Sequence, residues 1–142
     1  MYRISETTTA LLELIRDGFP DAKVMRGNPE KMKLFNLGVP YLVVQEKKQV
    51  PDDTDLGAMK RSMHTCSFVV HVFLQNRDPE TGLSALVTQI EDLVHLLRRN
   101  LTLNDTVGHT WVVEASFDDE FPGENETGYA GSVQIETQKL AM

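Results

Sequence analysis

Residues 63–101, MHTCSFVVHVFLQNRDPETGLSALVTQIEDLVHLLRRNL, restrict the possible folds more than any other stretch of this chain. The first thirteen residues read as a strand. Phe68, Val70, Val72 and Leu74 point one way, and Val69 and Phe73 point the other way with Ser67 and His71. Both faces are partly apolar, as expected of a central strand whose second face is also covered in part, by this chain or by a partner. A helix follows at once. Asp78 is placed to cap it, Pro79 takes the first helical position, and Glu80 complements the positive helix end. Leu83, Leu86, Val87, Ile90, Leu93, Val94 and Leu97 form one stripe at helical spacing, suited to lying on a sheet. Arg98 and Arg99 favour the negative end. Asn100 is expected to turn left-handed there and leave Leu101 packed back on Leu96. A long strand feeding an amphipathic helix implies a two-layer α+β domain.

The flanking segments extend that plan. Ile4, Thr8, Leu11, Leu12 and Ile15 recur at helical spacing, predicting a helix over residues 5–17 capped by Ser5 and stopped by Gly18 and Pro20. A short strand is expected at residues 23–26, then a loop or single helical turn over 30–38. VPYLVVQE, residues 39–46, is a β-branched and aromatic strand. Residues 47–61 then read as a long connection broken by Pro51 and Gly57. Such loops are uncommon in compact domains and are often functional or mobile. This one is either a mobile hairpin tip or a segment that orders against a neighbouring subunit. Two alternating strands close the chain. In the first, Trp111, Val113, Ala115 and Phe117 are expected inward, and Val112, Glu114, Ser116 and Asp118 outward. In the second, Tyr129, Gly131, Val133, Ile135 and Thr137 share one face, and Ala130, Ser132, Gln134, Glu136 and Gln138 the other. The predicted order is α-(β)-β-β-α-β-β: an α+β fold in one domain over residues 1–142. Its four- to five-stranded sheet is mostly antiparallel, with two helices packed on one face.

The chain has 142 residues, enough for a core without covalent staples. Its net charge of −7 argues against a nonspecific binder of DNA or of anionic membrane, since both call for a positive surface. Cys66 is the only cysteine, so no intrachain disulfide can form. No stretch approaches the ~20 apolar residues of a membrane span, and the opening residues do not read as a signal peptide. The expected compartment is the cytoplasm.

Few residues suggest chemistry. Asp118, Asp119, Glu120, Glu124 and Glu126 crowd one segment, and clustered carboxylates can hold a divalent cation or support a metal nuclease. Their spacing matches no EF-hand, and the simpler reading is a solvated acidic loop. His64, His71, His95 and His109 form no metal-binding motif. His64 and His71, seven apart on one strand, fall on opposite faces. Cys66 within an apolar strand reads as a small core residue rather than a nucleophile. No phosphate loop, dinucleotide fingerprint or serine elbow is present, so no cofactor, metal or catalytic residue is expected.

The order of elements, together with Val39-Pro40-Tyr41-Leu42-Val43-Val44 and Val70-His71-Val72-Phe73-Leu74, resembles the tail-terminator proteins of long-tailed bacteriophages of the lambda type and related prophage minor tail proteins. The resemblance covers nearly the whole chain but transfers no functional residue. It implies a non-enzymatic virion protein, assembled in the host cytoplasm into a ring of six copies. That ring would cap the tail tube, meet the tube protein on one side and the head–tail connector on the other, and let DNA pass without binding it. Six copies would carry about −42, a like-charged wall that avoids trapping the genome. On that expectation Glu114, Asp118 and Glu136 are candidate lumen residues. Lys47, Lys48, Asp52, Asp53 and Asp55, with Val69, His71 and Phe73 on the far side of the long strand, are candidate subunit contacts. A ligand-binding or regulatory α+β module is the alternative, and a metal nuclease using residues 118–126 is a further one.

Overall fold

The computed structural model describes residues 2–32, 38–52, 62–76, 78–121 and 127–141. Five strands, β1 (Lys23–Arg26), β2 (Tyr41–Asp52), β3 (Ser62–Gln75), β4 (His109–Asp119) and β5 (Gly128–Ala141), form one sheet in the order β1-β2-β3-β5-β4. Helices α1 (Ile4–Gly18) and α2 (Pro79–Arg98) complete the expected α+β architecture. The sheet is mixed: β1 runs parallel to β2, while every other pairing is antiparallel. The long strand β3 is central, flanked by β2 and β5.

Both helices cover the same face. α1 lies over β1 and β2, and α2 over β3, β4 and β5. The core between the layers gathers Leu11 and Ile15 from α1 and Leu86, Ile90, Leu93 and Leu97 from α2. From the sheet come Leu42, Val44, Phe68, Val70, Val72, Val133 and Ile135. The period-2 pattern of β3 and β5 thus selects the covered face as expected. Leu83, placed by its spacing in the apolar stripe of α2, is instead exposed, and the buried stripe runs through Gly82, Leu86, Ile90, Leu93 and Leu97.

Helix ends differ in part from expectation. Asp78 caps α2 by accepting from the Glu80 backbone N–H at 3.2 Å and from the Thr81 hydroxyl at 2.8 Å. α1 starts earlier, with Arg3 at the cap position and no side-chain cap, so Ser5 lies inside the helix. Beyond α2 the left-handed residues are Leu103, Asn104 and Asp105, with φ of 47°, 58° and 64°, and not Asn100. Asn100 uses its side chain, donating to the Leu96 carbonyl at 2.8 Å, and Leu101 stays exposed. Leu103 and Val107 are the residues that return to the core.

Two further corrections concern the strands. β2 continues to Asp52, so residues 47–52 belong to a hairpin arm rather than to a loop. Asp53 and Asp55 lie outside the described residues. β4 is interrupted between Val112 and Glu114 and again between Ser116 and Asp119. Each irregularity shifts the alternation. Val112 therefore sits opposite Ile135 on the covered face and Ala115 opposite Val133, while Trp111 sits opposite Glu136 on the far face. Trp111, Val113 and Phe117, expected inward, are exposed.

Candidate functional site

The face of the sheet away from the helices is the part of the molecule with chemistry to spare. Cross-strand register arranges it in rows. Lys48, Ser67, Glu136 and Trp111 make one row across β2, β3, β5 and β4. Gln45, Val69, Gln134 and Glu114 make the next, and Val43, His71, Ser132 and Ser116 the one after. A bulge between Glu46 and Lys48 sets the phase of β2. Glu46, opposite Phe68 on the covered face, is taken up by an ion pair with Arg26 and by the Thr8 hydroxyl at 2.9 Å. Past the bulge, Lys47 borders clefts on the far face and Lys48 joins the Ser67 row.

This arrangement brings together residues that the sequence had assigned to two surfaces. Lys47, Lys48, Val69, His71 and Phe73, expected at a subunit contact, share the uncovered face with Glu114 and Glu136, expected in a lumen. Asp118 is exposed at the second irregularity of β4. Asp52 ends β2. The face is consequently of mixed sign: lysines on the β2 side, carboxylates on the β4–β5 side.

One end of this face is covered by the chain itself. Val43, Phe73 and Ala130 pack with Met25, Met32, Tyr41 and Phe121 in a second, smaller cluster. The short helical turn Pro29–Lys31, capped by Asn28, brings Met32 there. Phe121 meets Phe73 edge-on, with ring centroids 5.7 Å apart. Beside it opens a cleft of about 590 Å³ bordered by Asn28, Lys47, His71, Asp119 and Phe121. His71 stacks on Phe73 and donates from Nε2 to the Gln45 side-chain oxygen at 2.8 Å. Burial holds the imidazole below its usual pKa and Lys47 adds to that, while Asp119 opposes it.

The other titratable groups are accounted for by packing. Cys66 is fully buried, and burial raises its thiol pKa. The Tyr2 hydroxyl contacts Cys66 Sγ at 3.6 Å and Thr7 Oγ1, and burial raises the phenol above its normal range. His64 sits against the Tyr2 ring on the helix side, at 5.2 Å between centroids, so His64 and His71 are on opposite faces. Among the described residues, no three His, Cys, Asp or Glu side chains are grouped to hold a metal ion. Glu124 and Glu126 lie outside the described residues. No helix among the described residues is long and apolar enough to cross a membrane.

Three residues that matter for this face were misjudged or not singled out: Trp111, Val113 and Gln45. Nothing in a period-2 reading of HTWVVEASFDD marks where an extra residue enters, so the exposed apolar pair on β4 was assigned to the core. The chain matches no protein-family model and no curated protein sequence.

Proposed function

We propose that the chain is a structural subunit of a long bacteriophage tail, a terminator that forms a ring on the finished tail tube and presents its other side to the head–tail connector. The observation that carries this reading is the uncovered half of the sheet, where Val50, Trp111, Val113 and Leu140 stand exposed beside Lys47, Lys48, Glu114 and Glu136. Val50 on β2 and Trp111 and Val113 on β4 stand at opposite sides of this face, where neighbouring copies cover them while its middle stays open. The element order and the strand patterns that resemble the tail terminators supply the identity of the assembly. In this reading the ring has six copies, the uncovered face looks toward the bore, and the helices form the outer layer. Glu114 and Glu136 then line the DNA path, tempered by the neighbouring lysines. The role is structural rather than catalytic.

The test is tube growth. Purified tube protein polymerising in the presence of the chain is expected to give tubes of arrested length, each with a cap at one end in electron micrographs. Tubes that grow to the same length with and without it would sink the reading. Reversal of Glu136 to lysine that leaves assembly and infectivity intact would remove the bore assignment alone.

A ligand-binding module is the second reading, favoured by the cleft beside His71, Phe73 and Phe121. A stable dimer with no effect on tubes, together with thermal stabilisation by small aromatic acids, would favour it.

A further inference from the structure

The sheet has two bare edges, and they match each other. β1 pairs only with residues 41–44 of β2, so the outer edge of β2 from residue 45 onward has no strand beside it among the described residues. Pro51 lacks an N–H, which limits the stretch able to pair to residues 45–50. On the opposite side the outer edge of β4 has no strand beside it among the described residues, and its residues 109–114 stand level with residues 45–50 of β2. Exposed edges are templates for pairing with another chain, and the bulges, lysines and proline on these two discourage indiscriminate pairing, so a partner strand has to answer their charge. We infer that β4 of one copy pairs with residues 45–50 of β2 in a second copy, in a head-to-tail contact that continues the sheet from subunit to subunit.

Three features support this pairing. The first is direction. β2, β3, β5 and β4 alternate, so β4 runs antiparallel to β2 of its own chain. A copy displaced sideways across the sheet therefore offers β2 antiparallel to β4, the more favourable ladder. The second is height. Trp111 and Lys48 belong to one row, as do Glu114 and Gln45, so the two bare edges face outward at the same level. The third is charge. The stretch of β4 level with residues 45–50, residues 109–114, carries Glu114 and no lysine or arginine. Residues 45–50 present Lys47 and Lys48, since Glu46 is already held by Arg26 on the covered side. Pairing β4 with β4, or β2 with β2, about a two-fold axis would set like charges together, which is unfavourable across strands. Head-to-tail pairing sets acid against base and repeats until it closes, as a ring requires. Val50 and Val113, both exposed in the single chain, become covered at the junction.

The inference rests on the self-assembly in the ring reading, and the test separates the two. Val50→Cys and His109→Cys, which share one row across the sheet, are made singly and together in the otherwise native chain, whose Cys66 is fully buried. A short bismaleimide is added at concentrations spanning those where native mass spectrometry finds oligomers. Each single variant is expected to stay uncross-linked alone. The two mixed are expected to give a covalent dimer, and the double variant a ladder of higher species. Oligomers in which His109→Cys joins to itself, or in which the mixture gives no dimer, overturn this pairing and leave the ring standing. A monomer at every concentration, alone and with tube protein present, overturns both. A charge exchange gives an independent readout. Lys47→Glu with Lys48→Glu, or Glu114→Lys, is each expected to weaken assembly by roughly tenfold or more, corresponding to about 1.4 kcal/mol. Mixing the two variants is expected to restore it, because each then supplies the charge the other's edge calls for. No restoration on mixing overturns the pairing.

Discussion

At Gly131 the two layers meet too closely for a side chain. A Cβ there would lie 2.3 Å from Ile90 Cδ1 and 2.6 Å from the Ser116 carbonyl oxygen. The isoleucine end can shift, but the neighbouring strand's backbone cannot, so Gly131→Ala is expected to cost about 1–3 kcal/mol. Ile90→Val in the same chain should recover only part of that, as read by urea denaturation; full recovery would mean that the Ser116 oxygen is not limiting. Thr110 makes the opposite case. Its hydroxyl is buried and no partner receives it among the described residues. Replacing it with the isosteric valine removes a desolvated polar group, and Thr110→Val should leave stability unchanged or raise it by about 1 kcal/mol. His71 links packing to pH. Its folded pKa lies below the usual value of 6.5, chiefly because the ring is buried. The unfolded chain then takes up a proton more readily than the folded one, and stability rises with pH. That contribution is complete above about pH 6.5 and is lost as the pH falls through the lowered folded value. Melting temperatures from pH 8 to pH 5 should fall less steeply for His71→Gln than for the native chain.

Element by element, what was legible in the sequence is what is periodic and locally capped. α2 was readable because Asp78, Pro79 and the Leu86–Ile90–Leu93–Leu97 stripe all specify the same helix. Asp78→Ala should lower the melting temperature, since it removes the acceptor of the Glu80 N–H and the Thr81 hydroxyl. The same two donors hold this carboxyl below the usual carboxylate range. The cap's contribution is therefore present at neutral pH and is lost as the pH falls through that lowered value. A difference between Asp78→Ala and native melting temperatures that stayed constant down to pH 2 would contradict this account. β3 and β5 were legible because each keeps strict alternation over its length. β2 and β4 were not, and for one reason. A bulge consumes a residue without leaving a mark in composition, so the alternation before it predicts the wrong side after it. In β2 the charged stretch from Lys47, punctuated by Pro51 and Gly57, reads as a loop, while a bulge between Glu46 and Lys48 lets the strand continue to Asp52. In β4 it turned Trp111 outward and Val112 inward. The parallel pairing of β1 escaped as well, since four residues carry too little pattern to fix a direction.

For the molecule as a whole, the distribution of cover is uneven, and that unevenness is what one sequence shows least. Hydrophobic spacing reveals that a strand has two apolar sides, but not whether a second side is met by the same chain. Here the lower part of that side is met by Met32 and Phe121, and among the described residues nothing covers Val50, Trp111, Val113 or Leu140 in the upper part to the same degree. Assembly through the open edges should be visible from inside the protein. Trp111 is the only tryptophan and stands 41% exposed on β4. A neighbouring strand laid along β4 would remove water from its ring, so its fluorescence should shift to shorter wavelength as concentration rises. The shift should follow the oligomer fraction seen by native mass spectrometry. Because the facing charges are solvent-accessible, raising salt toward 1 M, where screening acts within about 3 Å, should push the transition to higher concentration. Lys47→Glu with Lys48→Glu should have the same effect at low salt and lose most of its salt dependence. An oligomer that forms with no change in Trp111 emission would place the contact away from β4, and attention would then move to the exposed Leu83 and Leu101 at the two ends of α2.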